Sequence, residues 1–312
     1  MNQVDRQYHD LLKNVLNNGQ SVGDRTGTGV RSIFGATLEF DLQQGFPILT
    51  TKKMAWKQIV TELLWFLSGD TNIRSLLFEN CDIWTGDAYK KYVSTYNYDL
   101  DEPLSKEDFR QKIKDDYSFA TIWGELGPIY GSQWRKWKIV DGSFTRYVDQ
   151  IGELIKNIKE DPHSRRLLVN AWNISELHLM ALPPCHYSFQ CYVRGDYLDL
   201  LWNQRSADLF LGVPFNISSY SLLLTMIASA VNKKPGKVRG SFGDVHLYNN
   251  HLDKAEDLLL REGYELPELI LSPTFVDAVK RSFNGAINIA TNNMFKLKNY
   301  NYNPTIKAKL NN

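Results

Sequence analysis

Three cysteines, at positions 81, 185 and 191, pose the first chemical question, because a thiolate is an intrinsically strong nucleophile near neutral pH. Their odd number, and the absence of C-x-x-C spacing, indicate neither a disulfide framework nor a zinc site. Cys185 stands in Ala181-Leu182-Pro183-Pro184-Cys185-His186, where two prolines fix the backbone just before a thiol and an imidazole. Such rigid presentation suits a nucleophile. A free cysteine is more commonly a small buried hydrophobe, and Cys191, mid-strand, is read that way. Cys185 escapes that reading only if cations lower its pKa. Candidate cations lie in Ser164-Arg165-Arg166 and Gln204-Arg205-Ser206-Ala207-Asp208. Adjacent arginines after a helix are more often a solvated surface than a ligand site. Arg205 is less bland, since it follows Leu200-Leu201-Trp202, where an inward guanidinium needs an anion such as Asp208 or a phosphate. With Arg25 and Ser206 added, four guanidiniums and a hydroxyl could enclose one phosphate dianion.

Glu62 is an anomaly in an apolar helical pattern. Counting by threes and fours puts it on one face with Ala55, Ile59 and Phe66, so its carboxylate points away from water. Burial raises a carboxyl pKa, and a carboxyl poised near neutrality suits proton transfer to a carbonyl. A structural glutamate satisfied by backbone or buried water is the competing reading. Asn216, in Leu211-Gly212-Val213-Pro214-Phe215-Asn216, stands where a helix cap is expected. Its amide also pairs one donor with one acceptor, matching O4 and N3–H of uracil. His246 and Tyr248, two residues apart, share a face if the segment is extended, with core packing as the plainer explanation.

The elements that must position these groups read as a mixture. Tyr8, Leu11, Leu12, Val15 and Leu16 recur at helical spacing before Gly19, and residues 33–42 alternate as a half-buried strand does. Further helices are predicted over 57–67, from Asp149 to the Asp161-Pro162 stop, over 217–231, and over 246–261 with Gly263 as cap. A strand is predicted over 167–172, and a hairpin of 187–193 and 197–202 turning at Gly195. Residues 94–117, rich in charge and tyrosine, read as an insertion carrying a solvated helix. Strands and helices do not alternate strictly, which predicts an α+β fold with a mixed sheet packed by helices, in one large domain over 1–312. Hydrophobic residues make up 43% of the 312, enough for a sizeable core, and the net charge of +1 gives no global pull toward a nucleic-acid duplex or an anionic membrane. The first residues lack a signal-type apolar stretch and no segment reaches roughly 20 apolar residues, so a soluble, cytoplasmic protein is predicted.

Taken in order, Asp24-Arg25-Thr26-Gly27-Thr28-Gly29, Glu62-Leu63-Leu64-Trp65-Phe66-Leu67, Gly69-Asp70-Thr71-Asn72-Ile73, Leu126-Gly127-Pro128-Ile129-Tyr130-Gly131, Pro183-Pro184-Cys185-His186 and Gln204-Arg205-Ser206-Ala207-Asp208 resemble the thymidylate synthase family along nearly the whole chain. The resemblance implies a homodimer formed through the sheet, with Arg165 and Arg166 reaching the partner's phosphate site and Arg25, Arg205 and Ser206 supplied in cis. It implies Cys185 as nucleophile toward dUMP, Asn216 as reader of uracil, His246 and Tyr248 on the sugar hydroxyl, and Gln204 among the substrate contacts. The co-substrate implied is 5,10-methylenetetrahydrofolate, near Ile83, Trp84, Leu211, Gly212 and Phe215 with Asp208 on its pterin, and with no metal. The resemblance further implies that charge at O4 is stabilised by Asn216 and a water network linked to Glu62, and that a base assisted by Tyr130 removes the C5 proton. The implied products are thymidylate and dihydrofolate.

Two departures from the family pattern stand out. Thr85-Gly86-Asp87 follows Trp84 where bacterial members often have a second tryptophan, and Ile306-Lys307-Ala308-Lys309-Leu310 is followed by Asn311-Asn312 where members end in an apolar pair. A polar tail would admit water to the reaction, which defines one alternative, a dUMP hydroxymethylase. A second is a non-catalytic nucleotide- or RNA-binding homologue. A papain-like cysteine hydrolase is poorer, because adjacent strand residues Cys185 and His186 should face opposite ways.

Overall fold

The computed structural model describes residues 1–24, 26–95 and 102–311. Its elements run α1 (Gln3–Asn18), β1 (Gln20–Val22), β2 (Val30–Asp41), α2 (Trp56–Ser68), α3 (Ile73–Phe78), α4 (Thr85–Thr95), α5 (Lys106–Asp115), α6 (Tyr117–Trp123), α7 (Tyr130–Arg135), β3 (Trp137–Asp141) and β4 (Phe144–Val148). They continue with α8 (Gln150–Glu160), β5 (Leu168–Asn170), β6 (His186–Arg194), β7 (Tyr197–Asp208), α9 (Gly212–Ala230), β8 (Lys234–Tyr248), α10 (Leu252–Leu259), β9 (Glu268–Leu271), α11 (Pro273–Arg281), α12 (Phe283–Ile289) and β10 (Phe295–Lys298). Helices and a mixed sheet make this the α+β class that the sequence predicts. The chain divides into two compact units, interleaved in sequence.

The first unit comprises residues 1–60, 153–169 and 185–311. Its sheet has the order β1-β2-β8-β7-β6-β5, with β2 antiparallel and β7 parallel to β8. β6 and β7 form the predicted hairpin, Arg194 opposite Tyr197, and Gly195 takes φ +59 in the turn, where a side chain would be strained. Leu200, Trp202 and Gln204 point to the face covered by α9, and Trp202 stacks on Tyr220 of that helix at 5.1 Å. The side chains between them, Leu201, Asn203 and Arg205, lie on the opposite face and are half-buried or exposed. α9 is long and apolar enough to cross a bilayer by length and composition, yet it is buried nearly all round, as a core helix is.

Two predicted boundaries move. The 217–231 helix begins five residues earlier, at Gly212, because the Asp208 carboxylate accepts the N–H groups of Phe210 and Leu211 just ahead of it and Pro214 is tolerated in a first turn. The predicted 246–261 helix is shorter, Leu252–Leu259, since Val245 and Leu247 alternate into the core and 246–248 complete β8 against β2.

The second unit comprises residues 61–152 and 170–184. α5 lies where a solvated helix was predicted, but Phe109 and Ile113 are fully buried, Phe109 within 5.1 Å of the Tyr92 ring, so the helix is amphipathic. Residues 96–101 of the predicted insertion lie outside the described residues. The β3–β4 hairpin has no counterpart in the sequence reading. Asp149 caps α8 as predicted, accepting the Gly152 N–H.

Candidate active site

In the first unit the chemistry gathers at one end of the sheet. The Cys185 carbonyl accepts the Arg205 N–H at 2.9 Å, and His186 stands opposite Gln204, so the thiol precedes β6 beside the last turns of β7. Ser206 then pairs with Asp244 and Asp208 with His246 across the parallel β7–β8 ladder. Register alone therefore brings Cys185, Arg205, Ser206, Asp208 and His246 to neighbouring strand ends, and α9 starts four residues after Asp208. Cys185 is half-buried, whereas Cys81 and Cys191 are buried. Burial pushes the Cys191 thiol up to about 12, which leaves it inert.

His186 does not activate the thiol. Its Nδ1 lies 2.8 Å from the Tyr220 hydroxyl, and burial pulls its pKa down to about 3, so the ring is neutral. A neutral ring with Nδ1 on Tyr220 does not favour a thiolate–imidazolium pair of the papain type.

Arg205 is exposed, so the inward placement that would need a buried anion does not arise; it follows Leu201 and Asn203 on the face of β7 opposite Trp202. Arg165 and Arg166 are exposed beside β6, where the Arg165 carbonyl accepts from Gln190. Arg25 lies outside the described residues; the neighbouring Asp24 carboxylate accepts the Thr26 and Gly29 N–H groups. The Thr26 hydroxyl also donates to it and holds the Asp24 pKa below the usual carboxylate range. Gln204 is buried, accepting from the Trp202 indole and donating to the Ser206 carbonyl.

Asn216 is not a cap. It falls in the second turn of α9, half-buried, and among the described residues its amide makes no hydrogen bond. The capping explanation for this residue is therefore removed. His246 and Tyr248, on one face of β8, have rings 5.4 Å apart. His246 Nδ1 lies 2.9 Å from Asp244 Oδ1, which assigns the proton to Nδ1 and leaves Nε2 as an acceptor in the neutral ring. That bond lowers the Asp244 pKa. Leu211, Gly212 and Phe215 are half-buried at the start of α9, and the Leu211 N–H donates to the Asp208 carboxylate.

The second unit holds Glu62, Ile83, Trp84 and Tyr130. Glu62 is only 9% exposed, and Trp84 Nε1 donates to its Oε1 at 2.8 Å. Burial raises its pKa to about 7, with the Trp84 bond opposing the rise. The Trp84 ring is 6.0 Å from Tyr130 and 6.2 Å from Phe66, and Phe66 is 4.7 Å from Tyr130. Ile83 is half-buried and Tyr130 buried.

Sequence reasoning passed over Lys52. It is buried, donates to the Phe210 carbonyl and lies 4.1 Å from the centroid of that ring. Burial lowers its pKa to about 8, against the attraction of Asp208. The segment Thr50-Thr51-Lys52 is anchored by Asp5, whose carboxylate takes the Thr50 and Thr51 N–H groups and both hydroxyls. No periodicity marks a lysine in such a turn. Thr50 and Thr51 beside a helix-face aspartate are the one signal available.

Residues 6–312 match the family model described as thymidylate synthase. A relative named thymidylate synthase from Listeria monocytogenes serovar 1/2a is 46% identical over 98% of this chain and 99% of its own. Another so named, from Listeria innocua serovar 6a, is 45% identical over the same shares. Likeness at that level, end to end, matches the order of motifs read from the sequence, and the chain belongs to the thymidylate synthase family.

Proposed function

We propose that the protein is a methyltransferase that converts dUMP to dTMP, working as one catalytic domain over 1–312 with 94–117 as an insertion. Family membership supports the reaction, and the observation that carries the residue assignment is the Arg205 N–H held on the Cys185 carbonyl at the strand ends that also bear Asp208 and His246. Arg25, Arg205 and Ser206, with Arg165 and Arg166 of a second copy, hold the phosphate. His246 Nε2 and the Tyr248 hydroxyl take the sugar hydroxyl, and Gln204 braces Ser206.

Cys185 thiolate adds to C6 of the pyrimidine, and the charge displaced toward O4 is met by the Asn216 amide and by Glu62. A carboxyl half-protonated near pH 7 can both give and take that proton. Tyr130 orients the base that removes the C5 proton, and Trp84 keeps water from the reacting carbon. Methylenetetrahydrofolate, when bound, supplies the one-carbon unit and a hydride and departs as dihydrofolate. Asp208, Leu211, Gly212 and Phe215 bind it, with Ile83 and Trp84 as further contacts. The protein acts in nucleotide biosynthesis in the cytoplasm, with no metal and no nucleic acid required.

Incubation with dUMP and methylenetetrahydrofolate should give the absorbance of dihydrofolate. Recovery of hydroxymethyl-dUMP with tetrahydrofolate would sink the synthase reading, which the names of the relatives favour. A Cys185→Ser variant that kept full turnover would remove the nucleophile.

A further inference from the structure

We propose that Trp84 is a positioning residue for proton transfer: its indole N–H fixes Glu62 Oε1 so that Oε2 is the oxygen that exchanges the proton. The proposal rests on the role given to Glu62 above. The geometry is specific. Glu62 leaves the inner stripe of α2 between Ile59 and Phe66, both buried, and meets Trp84 at the start of α4. The indole cannot swing freely, because Trp65, Phe66 and Tyr130 surround it at 6.1, 6.2 and 6.0 Å, and Trp134 backs Phe66 at 5.7 Å. A carboxyl side chain in an apolar shell would otherwise rotate about its last two bonds with little to select one rotamer. A single directed donor at 2.8 Å supplies that selection.

Charge near this carboxyl is sparse. Asp82 is paired with Arg110, Arg135 with Asp149, and Lys57 of α2 is exposed. Tyr130 of α7 is the titratable ring in the aromatic shell. Burial and the indole bond are thus the two influences that set its proton affinity among the described residues, and they oppose each other. An N–H donated to a carboxylate favours the ionised form, so losing it leaves burial unopposed. Trp84 then does more than shield the reacting carbon: it keeps Glu62 titratable at neutral pH instead of locked in its protonated state.

The test compares wild type with Trp84→Phe and with benzothienylalanine at position 84, which keeps the bicyclic ring and lacks the N–H. Two readouts are taken: the pH profile of kcat/KM, and the infrared C=O stretch of the protonated carboxyl titrated in the free protein. Glu62→Gln identifies the band by its loss. Both replacements at 84 should move the band's midpoint and the kinetic limb upward by roughly one pH unit or more, since a hydrogen bond to a charged group is worth that much. An unmoved midpoint in the benzothienylalanine protein would overturn the assignment to Trp84. If instead Glu62→Gln left turnover and its pH profile intact, the role of Glu62 itself would fail, whatever the band did.

Discussion

Glu62 is buried with the Trp84 indole N–H on its carboxyl, and its titration links stability to activity. Its pKa is raised from 4.5 to about 7, so between these values the folded protein binds more protons than the unfolded chain. Stability therefore falls as pH rises through this window and is lowest in this respect above pH 7. A glutamine cannot ionise and carries no such slope. Urea unfolding of Glu62→Gln and wild type at pH 5 and pH 8 should show the gap moving in the variant's favour at the higher pH, by up to about 3 kcal/mol. Turnover should drop by roughly 10²- to 10⁴-fold, the usual worth of a positioned acid–base group, and the limb near pH 7 should vanish from kcat/KM. This residue was legible because helical spacing fixes which face a side chain takes. Lys52 was not, since its burial depends on the Phe210 carbonyl arriving from a segment 158 residues away.

Turn and strand geometry decided which elements could be read in advance. α1, α2 and the β6–β7 hairpin followed from period and turn chemistry, because helical spacing and a tight turn at Gly195 are signals carried within each segment. The end of β8 did not, because the choice between strand and helix at 246–248 is made by pairing with β2, more than 200 residues earlier. Asn216 was placed one turn too early for a local reason: the Asp208 carboxylate sets the start of α9 five residues ahead of the apolar run. Gly127 is a further case of distant constraint. It adopts φ +79, and a Cβ there would meet the Leu179 carbonyl oxygen at 2.1 Å. Gly127→Ala should destabilise the second unit by about 3 kcal/mol, seen as a lower melting temperature and faster amide exchange around α7, the helix that begins with Tyr130.

At the scale of the whole chain, residues 309–311 make polar contacts to the segment 250–251. Asn311 and Asn250 exchange side-chain hydrogen bonds at 2.9 and 3.2 Å, and the Lys309 carbonyl lies 2.8 Å from His251 Nε2. The exposure of Leu168 and Tyr192 on the adjoining strands β5 and β6 supports the proposed homodimer. If Arg165 and Arg166 serve a neighbour's phosphate, an Arg165→Ala/Arg166→Ala chain and a Cys185→Ser chain, each inactive alone, should complement. Refolded together in equal amounts, they should regain roughly a quarter of wild-type activity, one sound site in each mixed dimer. Activity no greater than that of either parent would argue against sharing. The unequal placement of the three sulfurs has a practical corollary. Solvent reaches Cys185 alone, while Cys81 and Cys191 are sealed in. An alkylating dye should couple once per folded chain and three times in urea, with bound nucleotide blocking the first event, so dye stoichiometry counts the working centres in any preparation.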